Sequence, residues 1–352
     1  MKYPTLYVCK NLYITHSKNI FTYMKKMLFP AMVFFAAFSS RAQQVYPTMG
    51  KIISYDSSFG NIVSADAKIE SIASNIKWAE GPVWVKDGGF LLFSDAPRNT
   101  IFKWDEKTGL TEFLKPSGYT GLGQYSDEPG SNGLMINHEG ELVACEHGDR
   151  RITKMNLKLG GKVAIADKWQ GKHFNSPNDI CQHSNGTYFF TDPPYGLPGR
   201  EKDTANREIT QSGVYSVLPN GIVKQIITTF KFPNGIALSP NEKLLYVSQS
   251  DGASPYITAH AVKEDGTVGD GIMFFDFKTV KSQLGNAAAD GLKVDANGNV
   301  YAGAANGVVV ISAKGKLLGK IETGVQTSNC AFGENGYLYI TAQHYVCRVK
   351  LK

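Results

Sequence analysis

The sequence predicts an all-β protein, a six-bladed β-propeller closed by an N-terminal strand that completes the C-terminal blade. Three observations carry this reading. A polar residue returns at the same point of a repeating unit: Glu80, Asn132, Asn178, Asn234, Asp290 and Asn329, at intervals of roughly 40 to 55 residues. In the first five copies a turn residue follows seven positions later, at Asp87, Glu139, Asn185, Asn241 and Asn297; in the sixth it comes one residue sooner, at Asn335. Gly follows the turn residue at positions 88, 140, 186, 298 and 336, the mark of a tight β-hairpin.

The elements follow in order. The first repeat reads EGPVWV, turn, FLLFSD, NTIFKWD, turn, LTEFL, which is four strands. The second runs from Asn132 through ELVACEHG to ITKMNL and KVAIA, and the third from Asn178 through TYFFTD to GVYSVL and IVKQII. The fourth runs from Asn234 through LLYVSQSD to ITAHAV and IMFFDF, and the fifth from Asp290 through NVYAGA to GVVVIS and LLGKIE. The sixth, from Asn329 through GYLYITA to HYVCRVKL, has only three strands. The alternating segment DAKIESIASNI at 66–76 supplies the missing one, so the N-terminal strand closes the ring and leaves only short, protected edges.

Three regions result: an N-terminal extension with a signal peptide at 1–42, a polar irregular linker at 43–65, and the propeller at 66–352. Met24-Lys25-Lys26 is a charged start, residues 27–38 form an apolar segment too short to span a bilayer comfortably, and Ser40-Arg41-Ala42 is a small-x-small cleavage site. Cleavage is expected after Ala42, with Met24 as a candidate initiator and a periplasmic or secreted product that keeps no membrane anchor. The net charge of +6 belongs to this extension, which holds six Lys or Arg and no acid; the remaining 31 basic and 31 acidic residues balance. A nucleic-acid partner, which needs a basic surface, is therefore excluded. Four of the five Cys follow the cleavage point, and Cys145, Cys181 and Cys330 lie in apolar strand-like runs, where they read as small buried side chains. The sequence leaves open monomer or dimer.

Radial repetition brings the recurring polar residues to one axis. Two carboxylates, Glu80 and Asp290, with neutral amide oxygens suit a hard divalent cation, Ca²⁺ above all. The absence of His and Cys from this set disfavours zinc and copper. In a hairpin the end of the second strand borders the same mouth as the start of the first. Asp95, Glu146 with His147, Asp192 with Tyr195, Gln249 with Asp251, and His344 are thus expected to form a polar funnel. A Pro- and Gly-rich loop of about 20 residues between Asp192 and Val214 has the length of a lid or binding loop.

The stretches AEGPVW at 79–84, FSD at 93–95, CEHG at 145–148, NSPND at 175–179, FTDPPYGL at 190–197, PNGIALSP at 233–240, ADG at 289–291 and SNC at 328–330 resemble the gluconolactonase family, which also holds senescence marker protein and luciferin-regenerating enzyme. The resemblance spans roughly residues 70–352 and is greatest to the bacterial secreted branch; diisopropyl fluorophosphatase has a similar propeller and metal arrangement. It implies one catalytic divalent cation, usually Ca²⁺, held at Glu80, Asn234 and Asp290, with Asn178 binding metal or substrate and Asp290 matching the proposed general base. Animal members carry Arg two residues before that Asn, where this chain has Ser176, so sugar-hydroxyl recognition is expected to differ.

The expected chemistry is hydrolysis of a sugar lactone to the aldonic acid. The cation polarises the carbonyl and Asp290 activates water, with His147 as second candidate base. Asn132, Asn178, Glu146, His147, Asp192 and Tyr195 are the expected substrate contacts. Two alternatives stand beside it: a non-catalytic periplasmic propeller that binds a sugar acid or a protein, and an esterase or phosphotriesterase using the same metal site. A serine esterase is disfavoured because no G-x-S-x-G elbow occurs.

Overall fold

The computed structural model describes residues 44–352, and the expected signal segment lies outside them. Six antiparallel blade sheets follow one another along the chain, with a two-stranded ribbon, Lys168–Trp169 against Lys172–His173, between blades two and three. Blade one comprises Ala79–Val85, Phe90–Asp95, Thr100–Asp105 and Gly109–Leu114. Blade two comprises Ser131–Ile136, Leu142–Glu146, Arg151–Asn156 and Gly160–Ala166, and blade three Ile180–Gln182, Tyr188–Asp192, Gly213–Val217 and Val223–Ile227. Blade four comprises Pro233–Leu238, Leu244–Gln249, Tyr256–Val262 and Val268–Asp276, and blade five Ala289–Val294, Val300–Ala304, Gly307–Ile311 and Leu317–Glu322. Blade six is Asn329–Phe332, Tyr337–Ala342, Tyr345–Lys350 and, from the N-terminal side, Ile69–Ala73. Each blade is a meander of strands whose apolar residues alternate onto both faces, joined by short turns except for the long connection from Asp192 to Gly213 in blade three. Those faces interdigitate with the neighbouring sheets. Leu92 of blade one packs with Leu134 and Ala144 of blade two, and Phe189 of blade three with Ile236, Leu245 and Val247 of blade four.

Ring closure follows the sequence expectation: Ile69–Ala73 pairs antiparallel with Tyr345–Lys350, Ile69 opposite Val349. Arg348 locks the junction. Its Nε donates to Glu70 at 2.7 Å, and its guanidinium also pairs with Glu106 of blade one. The guanidinium stacks over Tyr337, Tyr46 and Trp104 at 4.5, 5.1 and 5.4 Å. Cation–π contact of a desolvated guanidinium adds to the ion pairs.

The segment expected to be an irregular linker is ordered. Thr48–Met49 pairs with Ile69–Ala73, and Lys51–Ser54 adds a fifth strand to blade five against Leu317–Glu322. These strands are two and four residues long and half exposed, so edge placement replaces the apolar alternation that would have revealed them. Among the described residues Cys145, Cys181, Cys330 and Cys347 are all free thiols, and all but Cys181 are buried.

Ile69 is 1% exposed in the closing strand, whereas Ile53 sits half-buried at the outer edge. Ile69→Ala is expected to cost about 2–4 kcal/mol and Ile53→Ala about 1 kcal/mol or less, a difference measurable by chemical denaturation.

Candidate active site

Five blades each deliver one polar side chain to the axis, from the start of the inner strand or just before it. In blades one, two, four and five the inner strand carries a register shift at this point, between Glu80 and Val83, Ser131 and Leu134, Pro233 and Ile236, and Ala289 and Leu292. A bulge re-aims the side chain beside it. In all four blades Gly follows the polar residue, and the reason is contact with the next blade. A Cβ on Gly81 would lie 2.0 Å from the Asn132 carbonyl oxygen, and one on Gly235 would lie 2.3 Å from that of Asp290.

Hydroxyls of the second strands hold the same carbonyls. Ser94 donates to Asn132 O at 2.8 Å, Thr191 to Asn234 O at 2.6 Å and Ser248 to Asp290 O at 2.8 Å. Ser328, just before the inner strand of blade six, makes the equivalent bond to Ala79 O at 2.7 Å, so four of the six blade junctions carry one.

Glu80, Asn132, Asn178, Asn234 and Asp290 line one cavity of about 260 Å³, together with Tyr195 from the long loop. Trp78 Nε1 donates to Glu80 Oε1 at 3.0 Å. Burial first, and the Asp290 carboxylate second, push the Glu80 carboxyl well above the usual range. Burial likewise raises Asp290, with a hydrogen bond from Asn234 pulling the other way. The two acids therefore share one desolvated space and repel each other. Tyr195 stacks on Phe232 with centroids 5.8 Å apart. Its phenol is raised by burial and then by Asp290, while Ser250 and Asn234 hydrogen-bond it.

Several expected site residues stand elsewhere. Asn329 does not line the cavity. Its Nδ2 donates to Asp179 Oδ2 at 3.3 Å, and Lys293 Nζ donates to Asn329 Oδ1 at 3.2 Å. Blades three and six are opposite, so this Asp179–Lys293–Asn329 cluster crosses the central channel.

The expected funnel of second-strand ends is instead a set of braces. Asp192 accepts the backbone N–H groups of Asn175 and Ser176, both at 2.8 Å, as Asp95 accepts those of Lys77 and Trp78 at 2.9 and 3.2 Å. Gln249 accepts the Phe232 N–H at 2.9 Å. Each side chain turns back to fix the segment that enters its own blade. Glu146 is wholly buried and paired with Arg151 Nε, Lys162 Nζ and Thr153 Oγ1, each at 2.7 Å.

His147, expected as second base, is wholly buried behind the wall, with Nδ1 3.2 Å from the Glu128 carbonyl and the ring packed on Gly196. Burial lowers it to about 4, so it is neutral. Ser176 clasps the long loop: its Oγ donates to Pro193 O at 2.6 Å and accepts from Gly196 N–H at 2.9 Å.

The structure adds residues that the sequence pattern does not single out. Trp78, Glu128 and Arg200 also line the cavity, and Arg200 Nη2 lies 3.2 Å from Glu128 Oε1. Only the length of the loop bearing Arg200 hinted at its part. Among the described residues no group of three or more His, Cys, Asp or Glu meets as a metal centre. The donor set on the axis is two acids plus amides, which fits an oxygen-preferring cation and no soft one. Glu80, Asn178, Asn234 and Asp290 are the residues that would hold it.

Fold and site together define a six-bladed propeller with a polar axial cavity built around two carboxylates. The sequence pattern of the SMP-30/Gluconolactonase/LRE-like region matches residues 78–344, and the chain belongs to this family. It is 40% identical over 312 residues to a gluconolactonase of Zymomonas mobilis, with 87% of each chain covered. It is 26% identical over 292 residues to human regucalcin, covering 78% of this chain and 86% of that one. The solved gluconolactonase of Xanthomonas campestris superposes with a TM-score of 0.75 at 27% identity, covering 89% of this chain and 99% of that one.

Burial raises the Asp192 carboxyl to about 7, outweighing the two N–H bonds that lower it. A folded-state value above the unfolded one means that the native state holds the proton. The associated stability is full below the ordinary carboxylate range and is lost as pH rises through about 7. Urea denaturation between pH 4 and 8 is expected to show wild type losing up to about 4 kcal/mol more than Asp192→Asn.

Proposed function

We propose that the protein hydrolyses the cyclic ester of a sugar lactone of the gluconolactone type, using one divalent cation, Ca²⁺, held by Glu80, Asn178, Asn234 and Asp290. The observation that carries this reading is the pair of buried, mutually repelling carboxylates in one cavity walled by amides. The 40% identity to a gluconolactonase supports the choice of substrate. When bound, the cation would polarise the lactone carbonyl and stabilise negative charge developing on its oxygen.

The chain's own residues do the rest. Asp290, a carboxylate at the edge of the cation site, takes a proton from the attacking water. Water adds to the carbonyl carbon, the ring C–O bond breaks, and the released alkoxide takes a proton to give the hydroxy acid. Trp78 fixes the Glu80 carboxylate, and Asn234 does the same for Asp290. Tyr195 keeps its proton and offers an O–H to a substrate oxygen. The charged start and small-x-small site before Gln43 support export to the periplasm or medium, so N-terminal sequencing of the native protein is expected to begin at Gln43.

The reading is tested by proton release from glucono-δ-lactone with and without a chelator. Asp290→Ala is expected to lower kcat by about 10²–10⁴. Turnover untouched by complete cation removal would overturn the mechanism. Because the cation takes the place of protons on Glu80 and Asp290, Ca²⁺ is expected to raise Tm, and to bind more tightly as pH rises above the usual carboxylate range. Glu80→Gln should remove most of that gain.

A further inference from the structure

A second cavity, of about 580 Å³, adjoins the first, and Trp78 and Glu128 line both. The indole and the carboxylate are thus the partition between two chambers of one mouth. The larger chamber has the volume of a small-molecule site. Beyond the partition its walls carry Lys77, Gln124, Ser126 and Asp127, with two prolines, Pro97 and Pro129, as rigid apolar surface.

This wall is built in advance of any ligand. Trp78 is fixed at its Nε1 by Glu80, and at its backbone N–H by Asp95. His147 Nδ1 meets the carbonyl of Glu128, and Gly130 N–H donates to Ala96 O at 2.9 Å. Among the residues lining the chamber the loose end is Ser126, whose residue is 7% exposed and whose hydroxyl is buried without a hydrogen-bond partner among the described residues. A buried hydroxyl is rarely left so, and rotation about its Cα–Cβ bond can turn it to a ligand oxygen.

The lining chooses the ligand class. Lys77 offsets Asp127 and Arg200 is paired with Glu128, so the chamber offers an anionic substituent no net positive charge, and the density of amide, hydroxyl and charged groups disfavours a bare aryl ring. An indole wall with hydroxyl-seeking groups around it suits the C–H face and the hydroxyls of a sugar ring.

Resting on the lactonase reading, we infer that the chamber walled by Trp78, Gln124, Ser126 and Asp127 is a subsite for a second sugar ring, carried as a substituent on the lactone. The substrate class is then a disaccharide aldonolactone. The reaction that supplies it must be oxidation of a disaccharide at its reducing carbon.

The test compares lactobiono-δ-lactone, a galactosyl-substituted gluconolactone, with glucono-δ-lactone. Wild type is expected to show kcat/KM at least about fivefold higher for the disaccharide. Ser126→Ala, and Gln124→Trp, which fills the chamber from an exposed position, should bring that ratio towards one while leaving kcat/KM for gluconolactone within about twofold. A wild-type ratio of one or less, or a ratio unmoved in both variants, overturns the subsite. If neither lactone is hydrolysed, the lactonase reading fails, and calorimetry with the open acids decides the subsite separately. Lactobionate is then expected to bind wild type more tightly than gluconate, and equal affinity overturns the inference.

Discussion

The site depends on a hydrogen bond that involves no functional side chain: the hydroxyl of one blade donating to the main-chain carbonyl of the next. Ser94, Thr191, Ser248 and Ser328 each make it. Three of the four carbonyls belong to Asn132, Asn234 and Asp290, residues whose side chains face the cavity. Fixing the carbonyl at the start of an inner strand fixes the direction of the side chain on the same Cα. Each such bond is worth about 1 kcal/mol, yet repeated at four of the six blade junctions the set leaves the axial groups little freedom. The glycines after the polar residues serve the same contact, since only a residue without Cβ admits the neighbouring carbonyl so closely.

This scheme explains what was legible in the sequence and what was not. The hairpin turns and the recurring polar residue are local in sequence, so six blades and their closing strand could be read from spacing. The outer strands at Thr48–Met49 and Lys51–Ser54 could not, because an edge strand of two to four residues has no buried face to impose alternation. The same distinction runs through the site. Periodicity shows which end of a blade a residue occupies, and it brought Glu80, Asn132, Asn178, Asn234, Asp290 and Tyr195 to the mouth, where they line one cavity. It does not show whether a strand-end side chain faces the axis or folds back onto its own blade, which is why Glu146 and Asp192 were expected as substrate contacts and stand as an ion-pair centre and a backbone brace. Glu128 and Arg200 come from long connections whose paths no repeat dictates.

Charge is distributed unevenly on the pseudosymmetric frame, and the unevenness has a physical use. Blades one and five give acids to the cavity, and blades two, three and four give amides. An acid on every blade would be too repulsive to fold without several cations, and an all-amide ring would hold a divalent ion weakly. Two acids leave a pair of negative charges whose desolvation is unfavourable until something positive joins them. In the channel the chain supplies that charge itself, with Lys293 3.8 Å from Asp179. At the mouth the Arg200 guanidinium is committed to Glu128 rather than to Glu80 or Asp290.

The contrast between these two buried acidic places is what gives the cavity its chemistry. Burial raises the Asp179 carboxyl as well, but there an internal ammonium, Lys293, and the Asn329 amide pull the other way. Glu80 and Asp290 receive only neutral donors, Trp78 and Asn234, and are raised mainly by burial. A neutral donor orients a carboxylate without cancelling its charge. The axial cavity is therefore the place in the propeller where negative charge is held in position and left for a cation or a proton to neutralise. Under the proposed lactone hydrolysis, this is the property that suits Asp290 to receive the proton of the attacking water.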